Sequence, residues 1–149
     1  MGRVTVSKEV TFDCAHMLTG HEALCKNLHG HTYRVFIKIY GDQIEGGPSS
    51  DMVIDFKDLK AAIEECIKSR FDHAVIFSSG VFRKEAENEL LEWAEKFNMR
   101  HYIMPRRTTA EDMAIHFAEL IKEHLNEQNI FPIEVHVRVY ETPTSYAEV

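Results

Sequence analysis

Apolar and polar residues alternate along the first stretch of the chain. Val4, Val6, Val10 and Phe12 share one parity, and Arg3, Thr5, Ser7, Glu9 and Asp13 share the other. Alternation of this kind predicts a half-buried strand, and Cys14 and His16 continue its apolar side. A second alternating run covers 31–40, with Tyr33, Val35, Ile37 and Ile39 on one face and Arg34 and Lys38 on the other. His29 and His31 extend that apolar parity backwards, so His16, His29 and His31 all sit at the ends of inward-facing rows. The stretch 41–50, containing Gly46-Gly47-Pro48, predicts a loop.

The period then changes. Asp55 can cap a helix in which Phe56, Leu59, Ile63 and Ile67 recur at helical spacing. Residues 71–79 hold Asp72-His73 and an apolar patch before a turn at Gly80. A mostly charged helix fits 84–97, with Leu90, Leu91, Ala94 and Phe97 as a narrow apolar stripe. A short strand is predicted at 102–104, just before Pro105. A third helix begins at Thr108 or Thr109, since Thr108-x-x-Glu111 has capping-box spacing; it buries Met113, Phe117, Leu120, Ile121 and Leu125. The last strand has Ile133, Val135, Val137 and Val139 on one face and Glu134, His136, Arg138 and Tyr140 on the other, with Glu141 on the apolar side at its end. This order predicts a single α+β domain over 1–149, an antiparallel sheet of four strands with helices on one face. A small sheet with open edges is usually covered or paired, which predicts association between subunits.

Composition narrows the class. The chain has 149 residues, 44% hydrophobic and 28% charged, enough for one domain with a core that needs no staples. No apolar run approaches the roughly 20 residues of a membrane span, and the N-terminus lacks a signal-peptide pattern. Three cysteines, Cys14, Cys25 and Cys66, are an odd, low count that predicts a reduced, cytoplasmic protein rather than a disulfide framework. The net charge of −7 argues against a nucleic-acid partner, and the nearest thing to a basic cluster is Arg106-Arg107.

The chemistry concentrates between Phe12 and His31. His-x-His on a strand places two imidazoles on one face, and His16 supplies a third from the preceding strand. Three histidines fill three tetrahedral positions of a zinc ion and leave the fourth open, as catalytic sites require. The competing reading is a set of half-exposed loop histidines, since nine histidines in this length produce some pairs by chance. Cys14 and Cys66 read as small buried hydrophobes. Cys25, in a polar loop, reads as a thiolate candidate whose pKa a nearby cation would lower, as a fourth zinc ligand, or as incidental. Asp72-His73 reads as a solvated helix end or as two groups facing a third in a turn. Glu141 on the buried parity needs a partner, either an arginine or a ligand carrying two N–H donors. His21, His101, His116, His124 and His136 read as surface or satisfied residues.

These elements occur together in one known family. F-D-C-A-H at 12–16, C-K-N-L-H-G-H-T-Y at 25–33, V-I-D-F-K-D-L-K at 53–60, F-D-H at 71–73, T-A-E at 109–111 and V-Y-E-T at 139–142 span essentially the whole chain. The chain resembles the 6-pyruvoyltetrahydropterin synthase family, and more closely its 6-carboxytetrahydropterin synthase branch in queuosine (7-deazapurine) biosynthesis. The resemblance implies zinc ligands at His16, His29 and His31. It implies a catalytic Cys25 assisted by Asp72 and His73, and a Glu141 that grips the pterin through its 2-amino group and N3–H. Thr109 and Glu111 match the pterin-pocket motif. The implied fold is the tunnelling fold, in which the sheets of several subunits join into a barrel, typically as a dimer of trimers, with active sites between subunits.

Two departures refine the resemblance. The pyruvoyl-forming enzymes resemble C-x5-H-G-H, whereas Cys25 and His29 give C-x3-H-G-H, the spacing of the carboxy-forming branch. Arg107-Thr108 precedes Thr109 where that branch often has Asn-Pro. The implied reaction converts 7,8-dihydroneopterin triphosphate to 6-carboxy-5,6,7,8-tetrahydropterin, acetaldehyde and triphosphate, with zinc as cofactor. Lys26, Arg106 and Arg107 are candidates to offset the triphosphate charge. The rival readings are the pyruvoyl-forming lyase, a non-catalytic pterin- or purine-binding zinc module, and a zinc-stabilised assembly protein with no small ligand.

Overall fold

In the computed structural model, which describes residues 2–149, the two alternating runs form one long hairpin. Strand β1 (Arg3–His16) pairs antiparallel with β2 (His29–Asp42) from Arg3↔Asp42 to His16↔His29 without a slip. The register places Phe12 opposite Tyr33, Cys14 opposite His31 and His16 opposite His29, all on one face. After the loop, α1 (Phe56–Ile63) starts at Asp55, whose carboxylate accepts the Lys57 N–H. It continues through a wide π-helical turn (Glu64–Lys68) into α2 (Ser69–Phe71). Then follow β3 (Ala74–Phe77), α3 (Glu85–Lys96), β4 (His101–Ile103), α4 (Ala110–Glu127), β5 (Glu134–Thr142) and β6 (Ser145–Glu148).

The sheet has six strands in the order β4-β3-β1-β2-β5-β6, and it is mixed. This corrects the expected four antiparallel strands: β3 runs parallel to β1 and β4 parallel to β3, while β5 and β6 extend the antiparallel side. The apolar patch after His73 is the unforeseen β3, and α3 provides the crossover that a parallel β3–β4 pair needs. Strand β6 is short and carries only Tyr146 and Ala147 as apolar residues, too little alternation to register in the sequence. The predicted strand at 102–104 lies one residue earlier, as β4.

Helices α1 and α4 cover the face that bears Phe12, Tyr33, Val35, Ile37, Ile39, Val137 and Val139, all of them buried. At its centre Phe12 stacks on Tyr33 with ring centroids 5.3 Å apart, and Phe71 meets Phe117 edge-on at 4.8 Å. The predicted stripe of α4 is buried as expected, except that Leu120 is only partly so. In α3, Leu91 and Ala94 pack on Phe77, but Phe97 is 54% exposed because the helix ends there and the chain turns away through Asn98 at φ 53°. The buried Glu87 carboxylate accepts from Ser78 N–H (2.9 Å) and the Thr19 hydroxyl (2.6 Å), tying the loop after β1 to the end of β3. Among the described residues no helix is long and apolar enough to cross a membrane.

Phe71 is fully buried and touches Phe12, Phe117 and Tyr102, so Phe71→Ala leaves a cavity under both the sheet and α4. Denaturant unfolding is expected to show a loss of about 3–5 kcal/mol. A loss below about 1 kcal/mol would mean that this aromatic cluster does not hold the layers together.

Candidate active site

The hairpin register brings the three histidines together. Their ligand atoms lie within 4.8 Å of one another. His16 and His29 are cross-strand partners, and His31 lies two residues on, one pleat away on the same face. Nδ1–H of His16 donates to the Thr108 carbonyl (2.9 Å), with the Thr108 hydroxyl 3.1 Å away. Nδ1–H of His29 donates to the Asn27 carbonyl (2.7 Å). Each of these bonds assigns the proton to Nδ1 and leaves Nε2 as a lone-pair donor, as metal-ligating histidines require.

The inward nitrogens carry the test of whether a metal fits. The Nε2 atoms of His16 and His29 face each other at 3.1 Å, and Nε2 of His31 is buried with no hydrogen-bond partner. Two lone pairs at that distance repel unless a proton or a cation lies between them. A buried orphan nitrogen also carries a desolvation cost that a metal bond removes. Burial, with His29 and His31 alongside, pushes the His16 imidazole down to about 4, so it is neutral at ordinary pH. Burial lowers His31 as well, against the opposing pull of Glu141. Three imidazoles turned toward one point fit a divalent ion.

A cavity of about 280 Å³ is lined by residues from four separate parts of the chain; none of the three histidines lines it, and its wall residue Glu141 is what reaches the triad. Cys25, half-buried in a single 3₁₀ turn (Leu24–Lys26), lies on one wall, its carbonyl held by the Leu18 N–H at 2.8 Å. Thr109 and Glu111 open α4 on another wall, and Glu141 closes a third with Tyr146 of β6 behind it. The cap of α4 is Thr109, whose hydroxyl accepts the Asp112 N–H (3.1 Å). Thr108, the alternative start, is fully buried and serves His16 instead. No sequence signal marks it, because its main contact is made by a backbone carbonyl.

Glu141 lies one residue beyond the Arg34–Tyr140 pair, and its Oε1 stands 3.8 Å from Nε2 of His31. No arginine pairs with it among the described residues; its neighbour of opposite character is His31. The Tyr33 hydroxyl is another group the sequence reading passed over. It is fully buried without a hydrogen-bond partner, its ring meets His31 edge-on at 5.5 Å, and burial raises its pKa, so it stays a protonated donor.

Asp72 and His73 lie elsewhere. His73 is in the left-handed region (φ 61°), its N–H donates to the Asp13 carbonyl (2.7 Å), and its Nδ1 stands 3.0 Å from the Asp72 carboxylate. With Asp13, Cys14, Gly30, His31 and Thr32, His73 lines a shallow depression that does not include Cys25. Its side chain is 77% exposed, and no hydrogen bond or ion pair links either residue to Cys25 within the chain. None of Lys26, Arg106 and Arg107 lines the Cys25–Glu141 cavity. Arg106 pairs with Glu119 (2.9 Å), and Arg107 donates to the Thr19 carbonyl. The remaining histidines are satisfied: His116 is buried against the Tyr102 hydroxyl (2.7 Å), and His124 and His136 face Glu65 and Glu134. His21 accepts the Ala23 N–H, and His101 donates to the Met99 carbonyl.

Comparison with known proteins follows the same lines. The family model for 6-pyruvoyl tetrahydropterin synthase matches residues 5–149. The chain is 40% identical over 143 residues to a 6-carboxy-5,6,7,8-tetrahydropterin synthase from Haemophilus influenzae, covering 96% of each. A protein of the same name from Rickettsia bellii is 27% identical over 147 residues, covering 98% of this chain and 99% of that one. Among solved structures, the 6-pyruvoyl tetrahydropterin synthase of Plasmodium vivax superposes with a TM-score of 0.73 at 18% identity, covering 100% of this chain and 98% of that one. That likeness establishes the tunnelling-fold architecture, and the sequence match establishes kinship. The chain belongs to the 6-pyruvoyl tetrahydropterin synthase family.

Proposed function

We propose that this enzyme is a zinc-dependent 6-carboxytetrahydropterin synthase, acting on 7,8-dihydroneopterin triphosphate in 7-deazapurine biosynthesis. The observation that carries the reading is the cavity in which Cys25, Thr109, Glu111 and Glu141 meet, joined through Glu141, 3.8 Å from Nε2 of His31, to the cluster of His16, His29 and His31. The C-x3-H-G-H spacing and the names of the curated relatives favour the carboxy-forming reaction over the pyruvoyl-forming one.

His16, His29 and His31 would hold the metal, which supplies Lewis acidity toward the substrate's side-chain oxygens. The protein groups do the rest. Glu141, an acceptor with two oxygens and no arginine to satisfy it, takes the pterin 2-amino group and N3–H. Thr109 and Glu111, fixed by the first turn of α4, border the ring. Cys25 is placed to move a proton on the substrate side chain as thiolate and thiol. Asp72 holds His73 by Nδ1, leaving Nε2 to exchange a proton with the thiol. Because its imidazole is exposed and no hydrogen bond or ion pair ties it to Cys25 of the same chain, the pair serves the Cys25 of a neighbouring subunit in an oligomer built through the open sheet edges. Loss of triphosphate and cleavage of the side chain to acetaldehyde, with uptake of water, complete the reaction.

Mass analysis of the pterin formed from dihydroneopterin triphosphate tests the assignment. The expected products are 6-carboxytetrahydropterin and acetaldehyde. A pyruvoyl product would assign the other lyase, and no turnover would leave a binding module. The shared site has its own test in Cys25→Ala and His73→Ala chains, each inactive alone. Co-assembled at random, they leave about one site in four with both halves intact, so activity returns. A mixture as inactive as its parents would place Asp72 and His73 in the same chain's site or outside the reaction.

A further inference from the structure

The helix leading to Asp72 has an irregularity that the proposed chemistry does not by itself explain. Leu59, Ile63, Ile67 and Phe71 are spaced by four residues, and all are buried. At 3.6 residues per turn each four-residue step overshoots by about 40°. The π-helical turn at Glu64–Lys68 takes in an extra residue and absorbs the overshoot, so that Ile67 and Phe71 both remain in the core. No proline or glycine lies in that turn, so packing rather than a chain-breaking residue produces it.

The same turn delivers Lys68 to the edge of β1. Its ammonium donates to the Thr11 carbonyl (2.7 Å) and stands 3.6 Å from Oδ2 of Asp72. The other carboxylate oxygen, Oδ1, accepts the Asp13 N–H (3.1 Å) and lies 3.0 Å from Nδ1 of His73. Arg100 secures the backbone of the turn, donating through Nε to the Asp72 carbonyl (2.6 Å) and through Nη2 to the Ser69 carbonyl. The charged groups around the pair are therefore Lys68 from the helix, Arg100 before β4, and Asp13 from β1, whose carboxylate is occupied by the Thr32 hydroxyl. Partial burial would raise the Asp72 carboxyl, but the Asp13 N–H, Lys68 and His73 together hold it below its ordinary value. The strained φ of His73 persists because these contacts over-determine it.

We propose that Lys68 is a positioning residue for the Asp72–His73 pair. By anchoring Oδ2 of Asp72 it leaves Oδ1 to Nδ1 of His73, and so fixes the imidazole as the Nδ1–H tautomer with Nε2 as the free base. The role rests on the reading of Asp72 and His73 as an acid–base pair and adds the group that orients them. Without the ammonium, the carboxylate turns toward solvent and the exposed imidazole samples both tautomers.

The test is the ¹⁵N chemical shifts of His73 in the zinc-loaded, histidine-labelled protein at a pH where the ring is neutral, with His73→Gln identifying the signals. In the parent protein the two ring nitrogens are expected to differ widely, Nδ1 protonated and Nε2 bare. In Lys68→Met, and in Lys68→Gln should the first variant fold poorly, their separation is expected to shrink by more than half. Turnover should fall about 10- to 100-fold in kcat at unchanged KM, and Lys68→Arg should preserve both readouts. An unchanged nitrogen separation in Lys68→Met, or a loss that appears only in KM, would overturn the proposal. A parent protein that makes no carboxypterin, yet shows the loss of tautomer preference in Lys68→Met, would refute the assigned reaction and leave the positioning role intact.

Discussion

The pairing of β1 with β2 is the constraint from which the site follows. Because the register runs unbroken from Arg3↔Asp42 to His16↔His29, the core pairs Phe12–Tyr33 and Val10–Val35 and the histidines at the hairpin's end lie on one face. A slip of one residue would turn Tyr33, Val35, Ile37 and Ile39 to solvent together with His29 and His31. The hydrophobic energy that selects the register therefore also aligns the imidazoles. Chemistry needs no separate folding device at this end of the sheet, only the two carbonyls, of Asn27 and Thr108, that orient the outer ring nitrogens.

Around that fixed point the protein arranges groups of different reach. Cys25 and Glu141 come from a tight turn and a strand end, and α4 brings Thr109 and Glu111 through its first turn. Asp72 and His73 belong to another surface, held by the end of the helix, the β1 backbone, Lys68 and Arg100. On the proposed reading, a single chain carries two groups of residues that meet only between subunits. In the proposed oligomer the open edges at β4 and β6 bring such halves together.

Much of this was legible in the sequence where periodicity was strong. The hairpin, the α4 stripe and the parity of Glu141 all follow from period-two or helical spacing, and the clustering of His16, His29 and His31 follows from the ends of two alternating rows. The failures have physical causes. Ala74–Phe77 is a four-residue apolar run, and at that length periodicity does not distinguish a strand from a loop. Strand β6 is mostly polar because it lies at the sheet edge. Thr108 acts on His16 chiefly through its carbonyl, a group that every residue possesses. Spacing by four along Leu59, Ile63, Ile67 and Phe71 did hold the trace of a π turn, but only packing against the sheet shows that the overshoot is absorbed there and not by a bend.

In the proposed centre three imidazoles, and no thiolate, hold the metal. X-ray absorption at the zinc edge of the purified protein tests this most directly. One zinc per chain is expected, with nitrogen and oxygen neighbours in its shell and no sulfur, three of the scatterers showing the outer-ring signature of histidine. A sulfur neighbour would make Cys25 or Cys14 a ligand and remove the proton-transfer role assigned to Cys25. A shell without histidine would contradict the site itself.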